Sequence, residues 1–405
     1  MTPFSKLSLC YLFLIFVSSS CSARKTDLRE HVKPDLEKTN NNSSGTIKTG
    51  ADNYENYLPL LKNQKIGIVT NQTGILSNKT HLVDFLLKKN IAIQKIFAPE
   101  HGFRGTADAG EHVVDGKDSK TGLPIISLYG DNKKPKSEQL AAIDIMIFDL
   151  QAVGARFYTY ISSLHYIMEA CAENNIPLIL LDRPNPNINI IDGPILETAF
   201  TSFVGMHPIP LLHGMTIGEY AKMINGQKWM KNGVQCKLTV IPCTNYSRKM
   251  NYNLPVKPSP NLPNDQAVNL YASLCLFEGT NVSVGRGTEK QFQIYGSPYL
   301  PKSHFSFIPK PNFGAQNPIY NGIQCYGEDL SIAPKVNQLE LKWLIEAYRS
   351  TTDKSKFFNP FFTKLAGTKK LQLQIEARMP ENKIRESWKK GLIEFKKMRT
   401  KYLIY

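Results

Sequence analysis

Short β-rich runs alternate with longer helical segments from Lys65 to about Pro186. Two of the runs, 143–148 and 177–181, are apolar at almost every position, which is typical of central strands that are covered on both faces. A strand, a helix and another strand in succession form the crossover unit that joins parallel strands. The sequence therefore predicts an α/β fold built on a Rossmann-like parallel sheet.

The pattern also predicts where each element lies. The predicted strands are 66–70, 93–98, 124–128, 144–149 and 178–181, and the predicted helices are 80–89, 137–142 and 158–174. From about Phe200 the rhythm is lost among Pro and Gly residues, and a last helix is predicted over 380–402. We expect a Rossmann-like catalytic domain over 51–200 and a smaller, mixed α/β companion domain over 201–405.

The beginning of the chain has the features of an export signal. Lys6 precedes an apolar run over 7–17, which is too short to span a bilayer, and small residues lead to Cys21. A cysteine at this point is typical of a lipoprotein, and the stretch after it is polar. The sequence predicts a signal peptide over 1–21 with Cys21 as lipid anchor and a polar tether over 22–50. The protein would be exported and membrane-anchored, periplasmic or at the cell surface; plain secretion with cleavage nearby is the alternative.

The net charge of +15 favours anionic surroundings, but the basic residues are dense between Lys364 and Lys401, at positions that fit the solvated face of a helix. Nucleic acid is therefore not an expected partner. The five cysteines after Cys21 have no zinc-site spacing and are expected to be core thiols. We expect no metal and no cofactor.

Polar residues follow the ends of four predicted strands, at the edge of a parallel sheet where ligands bind. They include Asn71, then Glu100, His101 and Arg104, then Asp149 and Gln151, and finally Asp182 and Arg183. The alternative for each one alone is a helix cap or a turn. The sequence has neither the glycine-rich loop of dinucleotide-binding proteins nor the P-loop, so the predicted ligand is not a nucleotide.

Several ordered blocks resemble the NamZ-like exo-β-N-acetylmuramidases, from about Lys65 to the end of the sequence. The blocks lie at 67–74, 98–105, 148–160, 181–186, 210–219, 258–263, 277–288 and 402–405. The resemblance implies removal of β-linked N-acetylmuramic acid from the non-reducing ends of peptidoglycan glycans. It also implies a Rossmann-like domain and a smaller companion domain with a cleft between them.

Glycoside cleavage usually needs two carboxylates. We predict Glu100 as the acid, because it follows a strand in a Gly-rich turn that a sugar can approach. The alternative is a structural ion pair of Glu100 with Arg104. The second group is open: its candidates are Asp149, Asp182, Glu111, Glu278 and the acetamido group of the substrate itself.

N-acetylmuramic acid differs from N-acetylglucosamine by a lactyl ether with a carboxylate, which a guanidinium can bind. The arginines that fit this role are Arg104, Arg183 and Arg286, with Arg156 as a further option. Other predicted substrate-binding residues are Asn71, His101, Gln151, His213 and Glu278, with Tyr158 and Tyr160 stacking on a sugar face. Core packing is the alternative for the tyrosines. Two other functions stay open: an esterase or amidase, for which no nucleophile with a base is evident, and a non-catalytic sugar-binding lipoprotein.

Overall fold

The computed structural model describes residues 45–104 and 115–405. The strands are β1 (Lys65–Thr70), β2 (Ala92–Ala98), β3 (Gly116–Lys117), β4 (Pro124–Ser127), β5 (Ile145–Asp149), β6 (Leu178–Leu181), β7 (Ile191–Asp192), β8 (Leu212–His213), β9 (Leu238–Ile241), β10 (Ile294–Ser297), β11 (Ser306–Phe307) and β12 (Cys325–Asp329). The α-helices are α1 (Leu58–Leu61), α2 (Leu82–Lys88), α3 (Ser137–Leu140), α4 (Tyr160–Glu173), α5 (Ile217–Gly226), α6 (Asp265–Leu274), α7 (Lys342–Ser350), α8 (Phe361–Ala366), α9 (Lys370–Glu376) and α10 (Glu381–Arg399).

A seven-stranded sheet with the order β3-β4-β2-β1-β5-β6-β9 forms the centre of the fold. All of its neighbouring strands are parallel except β3, which pairs with β4 in the antiparallel direction. A three-stranded antiparallel sheet, β10-β12-β11, forms in the second half of the chain. This mixed α/β architecture confirms the predicted fold class.

The central strands are buried on both faces because consecutive side chains point to opposite sides of the sheet. In β5, Ile147 packs into a core with α2, whereas Met146 and Phe148 pack into a second core with α4. The second core continues into the later part of the chain and includes Trp388 of α10. One sheet therefore separates two apolar layers, and its carboxyl edge is left for polar side chains.

The helices and strands predicted between residues 66 and 181 begin and end within about two residues of their observed limits. The main sheet, however, takes its edge strand β9 from beyond residue 200, where the sequence predicts the companion domain. The predicted domain limits stay predictions. The signal peptide, Cys21 and most of the tether lie outside the described residues.

The last long helix, α10, confirms the prediction of a solvated basic face. Ile384, Trp388 and Phe395 are buried on one side of it, while lysines such as Lys389 and Lys396 are exposed. The five later cysteines are free and buried, as predicted. Within 45–104 and 115–405, no helix has the length and apolarity needed to cross a bilayer.

Candidate active site

A cavity of about 410 Å³ lies where the chain leaves β2 at the carboxyl edge of the sheet. Four stretches of sequence contribute to it: the turn after β2, the approach to α4, the segment that leads into α6, and the region before β10. Its lining residues are Glu100, His101, Phe157, Tyr158, Thr159, Tyr160, Ser259, Leu262, Tyr271, Arg286 and Phe292. The cavity thus brings together five of the predicted site residues, Glu100, His101, Tyr158, Tyr160 and Arg286.

Glu100 is half-buried and is held from the helix α4 side. The Thr159 hydroxyl donates to its Oε2 over 3.0 Å. Arg104 forms an ion pair with Asp118, at 2.8 Å, so its guanidinium already has a carboxylate partner. His101, next in the chain, has a positive φ of 72°, a conformation that is uncommon for a side-chain-bearing residue and turns the chain sharply beneath the cavity.

Tyrosine rings form one wall of the cavity. Tyr158 packs edge-on against Tyr160 and Tyr271, and its hydroxyl donates to the Pro258 carbonyl over 2.7 Å. The Tyr160 hydroxyl accepts from Asn71 Nδ2 at 2.7 Å. Burial is the largest cause that raises the pKa of Tyr158 and of Tyr160, and the nearby Glu100 charge raises it further. Both tyrosines therefore stay neutral. Asn71 acts here as a support for Tyr160 and does not line the cavity.

Arg286 also lines the cavity, and Glu278 orients its guanidinium. Its Nε donates to Glu278 Oε1 over 2.6 Å, and its guanidinium lies over the Phe292 ring at 5.0 Å. Burial disfavours the charged form, but the Glu278 carboxylate outweighs it and raises the pKa of Arg286. Among the described residues, the buried Nη1 has no hydrogen-bond partner. Arg286, which lines the cavity, therefore carries a permanent positive charge and has one guanidinium nitrogen without a hydrogen-bond partner among the described residues.

Asp149 and Arg183 do not line the cavity but form a buried ion pair with each other. Arg183 Nε lies 2.6 Å from Asp149 Oδ1, and Nη2 lies 2.9 Å from Oδ2. Nη2 also donates to the Ile75 carbonyl over 3.0 Å. Because both side chains are almost fully buried and satisfy each other, this pair connects the ends of β5 and β6. In the structure both residues thus have a structural role, and their predicted catalytic and substrate-binding roles stay predictions.

Asp182, which follows β6, is also buried, and its carboxylate lies at the first turn of helix α5. Its carboxylate accepts from the Thr216 hydroxyl at 2.7 Å, the Gly218 amide at 2.8 Å and the Tyr405 hydroxyl at 2.8 Å. Burial raises the pKa of Asp182 to about 6 in spite of these bonds. Asp182 does not line the cavity and caps helix α5; its role as the second carboxylate stays a prediction.

Two further predicted substrate-binding residues are buried elsewhere. Gln151 Nε2 donates to the carbonyls of Ala152 and Pro184. Burial lowers the pKa of His213 to about 3, and this neutral ring accepts from the Met215 amide at 3.3 Å. Neither residue lines the cavity, and Glu111 lies outside the described residues. Arg156 is fully buried and donates to backbone carbonyls, such as that of Ile209, at 2.7 Å.

Sequence reasoning missed Thr159, Ser259 and Tyr271. Thr159 and Ser259 lie inside blocks that carried the family resemblance, so their position in those blocks was the available signal. Tyr271 lies on α6 and lines the cavity. The helical spacing of its apolar neighbours fits core packing equally well, so the sequence contained no signal for this position. Within the described part of the chain, no group of three or more His, Cys, Asp and Glu side chains is arranged to hold a metal ion.

The fold and the cavity define an α/β protein with an acidic residue and an arginine at the carboxyl edge of a parallel sheet. The chain belongs to the exo-β-N-acetylmuramidase NamZ family: the model of the NamZ N-terminal domain matches residues 66–266, and that of the C-terminal domain matches 269–405.

Relatives agree with this assignment. The chain is 40% identical over 384 residues to the peptidoglycan β-N-acetylmuramidase NamZ of Bacillus subtilis. The aligned region covers 89% of this chain and 91% of that protein. It also resembles two crystal structures of DUF1343 family proteins from Bacteroides fragilis. The first is 43% identical with a TM-score of 0.83, and the second is 27% identical with a TM-score of 0.74; each match covers 89% of this chain and 99% of the other.

Proposed function

We propose that this chain is an exo-acting glycoside hydrolase that removes β-1,4-linked N-acetylmuramic acid from the non-reducing ends of peptidoglycan fragments. Its membership of the NamZ family supports this function. The observation that carries it is the pairing, in one cavity, of a carboxyl group with a charged guanidinium that has a vacant donor. Those two groups match the two features of the substrate, a glycosidic oxygen to be protonated and a lactyl carboxylate to be bound.

In this mechanism Glu100 is the general acid. It donates a proton to the glycosidic oxygen as the bond from that oxygen to C1 of the muramic sugar breaks, and water completes the hydrolysis at C1. Among the described residues, Glu100 is the only acidic side chain that lines the cavity. Glu278 orients Arg286, so the second role falls to the substrate's acetamido group or to Glu111, outside the described residues.

The direct test uses a pair of chromogenic glycosides. Purified protein is incubated with the N-acetylmuramic acid glycoside and, separately, with its N-acetylglucosamine analogue, and release of the chromophore is measured. We expect turnover of the first and little of the second. Binding of the muramic glycoside without turnover would favour the sugar-binding lipoprotein instead.

Replacing Arg286 with Met is expected to lower kcat/KM for the muramic glycoside by one to two orders of magnitude, with little change for the glucosamine analogue. A charged hydrogen bond contributes roughly 1.5 to 3 kcal/mol, which corresponds to such a factor. The measurement is the ratio of the two kcat/KM values.

Arg104→Met provides the matched control, because that arginine pairs with Asp118 and does not line the cavity. Its ratio should equal that of the wild type. If Arg286→Met keeps the wild-type ratio as well, the lactyl carboxylate is bound by a different group.

We also propose that Cys21 is lipidated and holds the enzyme on a membrane, since the signal, the small residues before Cys21 and the polar tether occur together. Replacing Cys21 with Ala should move the protein from the membrane fraction to the soluble fraction, because an acyl anchor contributes its affinity through buried CH₂ groups. The measurement is fractionation followed by immunoblotting. A Cys10→Ala variant is the matched control and should stay with the membrane; if Cys21→Ala stays there too, the anchor is absent.

A further inference from the structure

A second cavity, of about 730 Å³, lies among the loop after β6, the segment 251–253, helix α6 and the segment 335–337. Six asparagines line it: Asn187 and Asn269, which belong to its walls, and the four side chains of Asn189, Asn251, Asn253 and Asn337. All four are exposed, and Tyr252 lies half-buried between two of them. None of the predicted site residues contributes to this cavity.

The chemistry of this cavity fits a neutral, polar ligand. Each amide side chain offers both donors and an acceptor, and among the residues that the structure describes these four side chains have no hydrogen-bond partner. The two charged residues in the lining, Asp265 and Lys335, have opposite signs. A sugar with hydroxyl and acetamido groups matches such a set better than an anion or a cation does.

Two other asparagine side chains hold the walls of the cavity together through hydrogen bonds to the backbone. Asn269 on α6 donates to the Val336 carbonyl over 2.9 Å and accepts from the Val336 amide at 2.8 Å. Asn187 donates to the carbonyls of Val153 and Val268, at 2.9 and 3.2 Å. Because these bonds hold the loop, helix and segment together, the cavity is formed before any ligand arrives.

Two elements connect this cavity with the active-site cavity. Val268 of α6 lines the asparagine cavity, and Tyr271, one turn further along the same helix, lines the active-site cavity. The segment that carries Asn251 and Asn253 continues to Ser259, which also lines the active-site cavity. The two cavities are therefore lined by neighbouring turns of one helix and by one continuous segment of the chain.

We propose that the asparagine cavity is a binding site for the N-acetylglucosamine-containing part of the glycan that remains after cleavage. This inference rests on the proposed function, because it is that reaction that leaves a glycan on this side of the scissile bond. The site makes the enzyme prefer longer glycan fragments over small muramic glycosides.

The test measures binding of N,N′,N″-triacetylchitotriose, a neutral trimer of N-acetylglucosamine, by isothermal titration calorimetry. The double variant Asn251→Ala/Asn337→Ala should bind it at least about tenfold more weakly than the wild type, because two amide partners are lost. Asn56→Ala is the matched control: it is an exposed asparagine outside both cavities, and its affinity should equal that of the wild type. Circular dichroism checks that each variant is folded.

A second measurement compares kcat/KM for a muramic-acid-terminated tetrasaccharide with that for the chromogenic muramic glycoside. The double variant should lower the ratio of the two values. Equal chitotriose affinity in the double variant and the wild type would overturn the inference, as would loss of affinity for a sugar-free stem peptide alone. Chitotriose contains no muramic acid, so its binding result stands even if the muramic glycosides are not hydrolysed; failure of the two proposals can be told apart.

Discussion

Replacing Glu100 with Gln is expected to lower kcat by about a hundredfold or more, the usual range for a lost general acid. Gln has nearly the same shape and keeps an acceptor for the Thr159 hydroxyl, so the fold and the cavity should be retained. The loss should be greatest on a substrate with a poor leaving group, because such a group needs protonation most. The measurement is kcat on two glycosides whose leaving groups differ in pKa.

Glu394→Gln makes the same chemical change at an exposed position on α10 and should leave kcat unaltered. A wild-type rate of Glu100→Gln on the poor leaving group would remove Glu100 from the role of acid. A near-wild-type rate only on the substrate with the good leaving group would leave that role intact, because protonation contributes little to departure of such a group.

Replacing Arg183 with Met should lower the free energy of unfolding by about 3 to 5 kcal/mol, because Asp149 would be left as an uncompensated buried charge. The pair is enclosed at the ends of β5 and β6, and water cannot easily take the place of the guanidinium. Urea unfolding followed by circular dichroism measures the change.

Arg104→Met breaks an ion pair in which the arginine side chain is 38% exposed and Asp118 keeps hydrogen bonds from Thr121, so it should cost less stability than Arg183→Met. If Arg183→Met instead keeps its stability and loses selectivity for the muramic glycoside, Arg183 has the substrate-binding role that the sequence predicts. The two outcomes therefore distinguish a structural from a substrate-binding role of Arg183.

The first part of the fold was predictable because its strands and helices have clear and different periodicities. Strands β5 and β6 lie in almost continuous apolar runs, and the sequence places β1, β5 and β6 within about one residue of their observed ends. Strand β9 is short, lies at the edge and is partly exposed, so its run of Leu238–Ile241 has no such contrast with its surroundings.

The candidate site was only partly predictable. That polar residues collect at the carboxyl edge follows from the parallel sheet, but which of them face a cavity depends on contacts between distant segments. Glu100 reaches Thr159 on the approach to α4, whereas Asp149 is captured by Arg183 from the neighbouring strand end. Both residues are carboxylates at strand ends, so the sequence alone does not show which of them faces the cavity.

The contact of Tyr405 with Asp182 has a consequence for the order of folding. The two residues are 223 positions apart, and the Ile404 amide also donates to Glu219 at the start of α5. Until the end of the chain joins the fold, Asp182 and Glu219 lack these partners. Contacts of such high sequence separation form late, so completion of this end of the sheet is expected to be one of the last steps of folding.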